Sequence, residues 1–255
     1  MSKFIVITSG KGGVGKTTSA VNLATAMNLY DEDVTLVDVN LTTPNIGLHL
    51  GAPVVPVTLN HVISGKADLV DAIYEHESGT KVIPSSLSIK EMCNLTEKNL
   101  FNATKDLRKI SDTVIFDSAA GLGSEAMAAM SIADEIIIVT NPEMPAVTDA
   151  LKAAKLAEEM GKDVRGVIIN RVSGRKSEMS LKSISEMLEL PILGVVPEDP
   201  NIQEALAMRN SILLTHPRSK AAKSYRIIAA KILGKKPQIE NESILERVLV
   251  NLGLR

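Results

Sequence analysis

The chain has 255 residues, of which 45% are hydrophobic and 23% charged, and this composition is ordinary for a globular protein of one large domain or two small ones. Its 28 basic and 30 acidic side chains leave a net charge of −2, which argues against a nucleic-acid-binding module driven by overall charge. The single cysteine, Cys93, excludes an internal disulfide framework and an all-cysteine metal site within one chain. Since no apolar run approaches the roughly 20 residues of a membrane span and no secretion signal precedes the first apolar run, we expect a soluble, intracellular protein.

Short apolar runs rich in Val and Ile alternate with longer amphipathic stretches. The predicted strands, in chain order, are residues 4–7, 34–37, 82–83, 113–116, 135–139, 166–169 and 192–196. The predicted helices include residues 17–28, 145–160 and 177–190. Because the apolar runs mostly do not alternate with polar residues, the strands are expected to be parallel and buried on both faces. The predicted fold is therefore α/β, a mostly parallel twisted sheet flanked by helices on both faces, with ligands bound at the carboxyl ends of the strands.

The chain divides into three predicted parts. No internal repeat or boundary precedes residue 234, so residues 1–233 are expected to form one domain. Residues 234–242 are polar and interrupted by Gly and Pro, which is typical of a linker. Residues 243–255 carry apolar side chains at helical spacing and predict a short amphipathic helix.

Residues 10–18 give the strongest functional signal. They follow the first predicted strand, open the first predicted helix and contain Gly, four residues, then Gly-Lys-Thr, which is the pattern of a phosphate-binding loop. Glycines let the backbone wrap a phosphate, while the helix N-terminus directs amide groups at it. Lys16 is then expected on the terminal phosphates and the Thr17 hydroxyl on Mg²⁺. The predicted nucleotide-binding residues of this loop are Gly10, Lys11, Gly12, Gly13, Val14, Gly15, Lys16, Thr17 and Thr18.

Two acidic residues follow buried strands and are candidate metal-binding groups. Asp38 ends the second predicted strand and Asp117 ends the fourth. A carboxylate placed there is costly unless a cation pairs with it, and Mg²⁺ with its bound waters would do so. The alternative for each residue alone is a helix-capping or turn role.

An early lysine sets the loop apart, because an ordinary phosphate loop needs no lysine at position 11. With Lys11, this segment resembles the deviant Walker A motif of the MinD/ParA family of P-loop ATPases. The order of the other motifs is similar to that of the MinD branch, and these motifs are residues 38–48, 117–121, 140–143 and 196–199. The resemblance implies a P-loop NTPase fold, ATP and Mg²⁺ as cofactors, and a homodimer that forms with ATP. It also implies that Lys11 reaches the partner's nucleotide and stabilises charge on the transferred phosphoryl group, which makes Lys11 and Lys16 candidate catalytic residues.

The resemblance also places residues beside the adenine base. In relatives, the segments matching 169–171 and 197–199 flank adenine, which makes Asn170, Pro197 and Glu198 candidate base-binding residues. The Asn170 amide can both donate and accept toward adenine. A turn or capping role is the alternative for this residue.

Asn40 departs from the family pattern. Where the family has a second Asp in its first switch, this chain has Asn40, at the position that normally helps to place and activate the attacking water. An amide can hold a water but cannot accept its proton or supply negative charge. The hypothesis is that Asn40 occupies a catalytic position, that ATP still binds and dimerises the chain, and that hydrolysis to ADP and phosphate is slow. A second departure is Ala119, where relatives usually have Pro.

The C-terminal stretch resembles the short amphipathic helix with which MinD relatives lie on the membrane. Its apolar stripe consists of Ile244, Leu245, Val248, Leu249 and Leu252. Two copies in a dimer would bind a membrane far better than one, so ATP-driven dimerisation would switch attachment on. The alternative is a helix docked on the core or a dimer partner, which the weak basic charge of two Arg against one Glu favours.

The predicted function is thus a Mg-ATP-dependent dimerising switch on the inner face of the cell membrane that positions another protein, in cell division or another form of spatial organisation, under an unidentified regulator. A partition ATPase that binds DNA nonspecifically is the alternative. Its basis is a run of basic residues without Asp or Glu between them, comprising Arg209, Arg218, Lys220, Lys223, Arg226, Lys231, Lys235 and Lys236. A solvated helix face explains this run more simply, so DNA is the less favoured partner.

Overall fold

The computed structural model describes residues 2–91 and 93–237 and contains eight strands. They are β1 (Lys3–Thr8), β2 (Val34–Asp38), β3 (Tyr74–Glu75), β4 (Lys81–Ile83), β5 (Thr113–Asp117), β6 (Glu135–Thr140), β7 (Val164–Val172) and β8 (Ile192–Pro197). All eight form one sheet in the order β3-β4-β2-β5-β1-β6-β7-β8. Every pairing is parallel except that of the short edge strand β3 with β4. The predicted α/β fold with a mostly parallel sheet is confirmed, and each of the seven predicted strands lies within an observed one.

Helices cover both faces of the sheet. They are α1 (Lys16–Asn28), α2 (Ile46–His49), α3 (Leu59–Ile63), α4 (Glu97–Thr104), α5 (Ser124–Ile132), α6 (Met144–Glu159), α7 (Leu181–Leu188), α8 (Asn201–Ala207), α9 (Ile212–Thr215) and α10 (Lys220–Leu233). Short 3₁₀ turns occupy Leu69–Ala72, Ile89–Glu91 and Lys105–Lys109. No helix among the described residues is long and apolar enough to cross a membrane.

The central strand shows how the sequence divides the core into two layers. Phe4 and Val6 of β1 lie in a buried cluster with residues of α3 to α7. Ile5 and Ile7 alternate with them and lie in a second cluster with α1, α8, α9 and α10. Because both faces are apolar, β1 cannot sit at a solvated face, and full burial of each such side chain stabilises the fold by about 1.5–3 kcal/mol.

The predicted helix at 177–190 is too long at both ends. The Ser180 hydroxyl accepts from Ser183 N at 3.0 Å and caps α7, so the helix begins only at residue 181. The Glu178 carboxylate is held in the preceding loop by Ser173 and Gly174. At the other end Glu189 adopts φ 55, which stops the helix.

Parallel strands bring their carboxyl ends to one edge of the sheet, and this edge carries the loops after β1, β2, β5, β6, β7 and β8. The far end of the chain is less fully described. Helix α10 ends at Leu233 and Gly234 follows with φ 66. Part of the predicted linker, from residue 238, and the whole predicted amphipathic helix at 243–255 lie outside the described residues, so the predicted division into domains stays a prediction.

Candidate functional site

The phosphate loop connects β1 to α1 and passes closely between two other elements. A Cβ on Gly10 would lie 2.0 Å from the Asp149 carbonyl oxygen of α6. Gly15, the residue before α1, has φ 92, and a Cβ there would lie 2.1 Å from Asn170 Nδ2 at the end of β7. The loop therefore needs these two glycines for close approach and, at Gly15, for a left-handed backbone.

Asp117 holds the first turn of α1. Lys16 Nζ donates to Asp117 Oδ1 at 2.8 Å, and the Thr17 hydroxyl donates to Asp117 Oδ2 at 2.6 Å. Lys16 is 7% exposed and Asp117 is fully buried, so this is a buried ion pair. The structure thus brings together the predicted phosphate-binding lysine, the predicted metal-binding threonine and the predicted strand-end aspartate.

Asp38 lies beside Asp117 in the register of β2 and β5. Its carboxylate accepts from the backbone amides of Asn40, Asn45 and Ile46 at 3.2, 2.9 and 3.0 Å, and so it also fixes the start of α2. Burial, followed by the charge of Asp117, raises the Asp38 pKa to about 7, against the lowering effect of the three amides. Two buried carboxylates side by side, next to a threonine hydroxyl, suit a hard divalent cation such as Mg²⁺.

Asp38→Asn is expected to change the pH dependence of stability in the ligand-free protein. Because the Asp38 pKa rises from 3.8 to about 7 on folding, the folded state binds the extra proton between these values and loses stability as pH rises through them. Between pH 5 and pH 8 the unfolding free energy of the wild type should therefore fall by about 2–3 kcal/mol relative to the variant. Urea denaturation of both proteins without Mg²⁺ measures this change, and a difference that stays constant with pH contradicts it.

Asn40 lies beside the phosphate loop, and its side chain is hydrogen-bonded to Thr43. A cavity of about 330 Å³, which we call the phosphate cavity, is lined by the loop, Asn40, Thr43 and Asn45. Asn40 Nδ2 donates to the Thr43 carbonyl at 2.7 Å, and Asn40 Oδ1 accepts from Thr43 N at 3.2 Å and from the Thr43 hydroxyl at 3.1 Å. The predicted water-positioning residue is thus near the phosphate site and bound to its own turn.

Asn170, Pro197 and Glu198 line a second cavity of about 500 Å³, which we call the base cavity. Asn170 is 2% exposed, and its Nδ2 donates to the Val14 carbonyl at 2.8 Å. Its Oδ1 is buried and has no hydrogen-bond partner among the described residues. A buried acceptor without a partner, on a side chain that lines this cavity, suits the exocyclic amino group of adenine.

Lys11 differs from Lys16 in its surroundings. Its ammonium group lies 4.0 Å from Glu143 Oε2, and the two side chains are 39% and 61% exposed. An ion pair this long and solvated contributes little to stability. Lys11 can therefore leave this contact at small cost, as an interaction with another chain requires.

The sequence analysis did not single out several residues that line the two cavities, and three of them illustrate why. Arg171 lines both cavities with φ 57, and Ile202 and Leu206 of α8 form one wall of the larger cavity. Arg171 belongs to the segment 169–171 that the resemblance places beside adenine, although only Asn170 was chosen from that segment as a site residue. The contribution of α8 depends on tertiary packing and has no local motif.

A glycine-rich loop between a buried strand and a helix, with a buried lysine and two strand-end aspartates, defines a P-loop nucleotide-binding protein. The sequence profile of the CobQ/CobB/MinD/ParA nucleotide binding domain matches residues 5–212. The chain therefore belongs to the MinD/ParA family of P-loop ATPases, as its motifs predicted.

Relatives support this membership along almost the whole chain. An uncharacterized ATP-binding protein of Methanocaldococcus jannaschii is 38% identical over 256 residues, covering 99% of this chain and 97% of that protein. The crystal structure of the Pyrococcus furiosus cell division ATPase MinD has a TM-score of 0.88 at 33% identity, covering 92% of this chain and 99% of that chain. MinD of Pyrococcus horikoshii, solved with Mg-ADP, has a TM-score of 0.87 at 31% identity, covering 96% and 99%. The expected cofactors, ATP and Mg²⁺, agree with these findings.

Proposed function

We propose that this chain is a Mg-ATP-dependent dimerisation switch that attaches reversibly to a membrane and positions another protein there. The observation that carries the proposal is the contrast between its two loop lysines. Lys16 is buried against Asp117, whereas Lys11 is exposed at the same loop. One lysine is therefore suited to hold a nucleotide bound by its own chain, and the other to reach a nucleotide bound by a partner.

Within one chain, the loop amides and Lys16 hold the phosphates, while Thr17, Asp38 and Asp117 hold Mg²⁺ directly or through water. When bound, Mg²⁺ neutralises charge on the terminal phosphates. Lys16 has three N–H donors and the Thr17 hydroxyl oxygen keeps its lone pairs, so both can make these contacts while they remain hydrogen-bonded to Asp117. Asp117, directly before the segment at 118–123 that leads into α5, therefore orients both groups toward the nucleotide.

Adenine is recognised by the Asn170 side chain. The Val14 carbonyl and the packing of Gly15 fix the donor end of the amide, which leaves Oδ1, unpaired among the described residues, as the acceptor for a base in the cavity that Asn170 lines. Guanine has a carbonyl where adenine has its amino group, and two acceptors repel each other. The site therefore prefers ATP to GTP.

Asn40→Asp is expected to raise the steady-state ATPase rate by roughly 10-fold or more, because general-base assistance contributes about 10²–10⁴-fold where it operates. The wild-type amide can neither accept a proton nor supply negative charge. Phosphate release at saturating Mg-ATP measures the rate. An unchanged rate would remove Asn40 as the cause of slow turnover.

Membrane attachment through residues 243–255 is part of the proposal, and the sequence of that segment supports it.

The DNA-binding alternative loses support from two lysines of the basic run. Lys231 donates to the Ile192 carbonyl at 2.8 Å, and Lys235 contacts both the Tyr30 carbonyl and Glu32. These two lysines pair with their own chain and are less available to phosphates.

Flotation with vesicles of mixed anionic and zwitterionic phospholipid tests this output. The full chain should float with Mg-ATP, much less with Mg-ADP, and not at all once residues 243–255 are deleted. Equal flotation in all three samples contradicts ATP-controlled attachment.

Duplex DNA of arbitrary sequence, titrated at low and high salt, is the parallel test, and salt-dependent DNA binding without flotation would favour the partition alternative.

A further inference from the structure

The segment at residues 40–46, which we call the first switch segment, is closed on itself by two asparagine side chains. The Thr43 carbonyl accepts from Asn40 Nδ2 and from Asn45 Nδ2, each at 2.7 Å. The Thr43 amide and hydroxyl both donate to Asn40 Oδ1. Asp38 meanwhile holds the amides of residues 40, 45 and 46. The Asn40 and Asn45 side chains are therefore hydrogen-bonded to Thr43 within the segment, beside the phosphate cavity.

The hydrogen-bonding capacity of Asn40 is almost used up. A carboxamide oxygen accepts two hydrogen bonds and the nitrogen donates two. Thr43 fills both acceptor positions and takes one donor, so a single N–H remains. The Thr43 carbonyl also accepts two bonds and has no lone pair left. Neither oxygen has a lone pair left to accept a hydrogen bond from a water in the cavity that both residues line.

We propose that Asn40 is a positioning residue that locks the first switch segment in one conformation and leaves only a hydrogen-bond donor toward the phosphate cavity. This inference rests on the proposed function, which makes this cavity the site of ATP. A donor can bind a phosphate oxygen but cannot draw a proton from the attacking water. The lock therefore favours retention of ATP over its hydrolysis. An aspartate could not form it, because a carboxylate cannot donate to the Thr43 carbonyl.

Amide hydrogen exchange of the ligand-free full chain tests the lock without depending on ATP. In Asn40→Ala the Thr43 amide loses its acceptor and the Thr43 carbonyl loses a donor, so exchange at Thr43 should rise at least about tenfold. Thr43→Val removes only the hydroxyl and should raise exchange less. It supplies the test if Asn40→Ala does not fold.

Asn99 provides a matched control far along the chain. Its Oδ1 accepts from Thr96 N and its Nδ2 donates to the Asn94 carbonyl, both at 2.7 Å, so it closes a loop with the same chemistry. Asn99→Ala should raise exchange near Thr96 and leave Thr43 unchanged. If the backbone amide of residue 43 is equally protected from exchange in the wild type, in Asn40→Ala and in Thr43→Val, the lock does not exist.

Kinetics separate the lock from a purely structural role and from the proposed function. Asn40→Ala should raise the KM for ATP severalfold without raising kcat, because it loses the donor and gains no base. Asn40→Asp should raise kcat, because it adds a carboxylate. A KM of Asn40→Ala equal to that of the wild type overturns the positioning role. If Thr43 exchange and the KM rise in Asn40→Ala while kcat of Asn40→Asp stays at the wild-type value, the lock stands and the proposed cause of slow turnover fails.

Discussion

Gly15→Ala is expected to reduce Mg-ADP affinity at least about 100-fold and to destabilise the fold. The left-handed backbone at Gly15 costs an alanine about 1–2 kcal/mol, and its Cβ would lie 2.1 Å from Asn170 Nδ2. Relief of that contact displaces either the phosphate loop or the side chain that faces the base cavity. Isothermal titration with Mg-ADP and urea denaturation measure the two effects.

Two neighbouring glycines serve as matched controls for stability. Gly13 shares the positive φ, at 80, but a Cβ on it would have no described atom within 4 Å, so Gly13→Ala isolates the backbone cost. Gly12 has neither feature, and Gly12→Ala should leave the unfolding free energy of the ligand-free protein within about 0.5 kcal/mol of the wild type. If Gly15→Ala is no less stable than Gly13→Ala, the contact with Asn170 is not a constraint on the loop.

Lys16→Met is expected to lower Mg-ATP and Mg-ADP affinity at least about 100-fold and to lower the unfolding free energy by roughly 3 kcal/mol. Methionine keeps an apolar stem of similar length. It removes the cation that lies 2.8 Å from the buried Asp117 carboxylate, next to the equally buried Asp38. The stability loss is the cost of leaving that carboxylate without a cation.

Lys11→Met is the control that shows whether the loss of any lysine from the phosphate loop would lower stability in the same way. Because Lys11 is exposed and 4.0 Å from Glu143, its substitution should change stability by less than about 0.5 kcal/mol. Adding Asp117→Asn to Lys16→Met removes the orphaned charge, so it should recover part of the stability but none of the nucleotide binding. If the double variant recovers no stability, the ion pair is not the source of the lost stability.

Much of the fold could be predicted from local patterns in the sequence. The Val- and Ile-rich runs predicted seven strands because a strand buried on both faces needs apolar residues throughout. Strand β3, at Tyr74–Glu75, has only two residues and pairs antiparallel at the edge, so it leaves no such pattern. Both ends of helix α7 were missed because a serine cap at its start and a positive φ at Glu189 at its end override the apolar spacing that continues beyond it.

The site residues that belong to a known motif could be predicted from the sequence. Contacts between side chains and backbone groups that only the fold brings together could not. The motif order located the phosphate loop, Asp38 and Asp117, and the structure brings them together. The sequence did not show that Asp38 caps the start of α2 or that Asn40 is bound to Thr43. Both contacts depend on the path of the first switch segment, which spacing alone does not define.

The molar mass of the full chain in solution tests the central claim, ATP-controlled dimerisation through Lys11. Light scattering should give a monomer without nucleotide and with Mg-ADP, and a dimer with Mg-ATP that persists for hours without a nucleotide analogue. Lys11→Ala should stay monomeric with Mg-ATP while it still binds the nucleotide. The same mass in all three states of the wild type, or an ATP dimer that survives Lys11→Ala, would contradict the account.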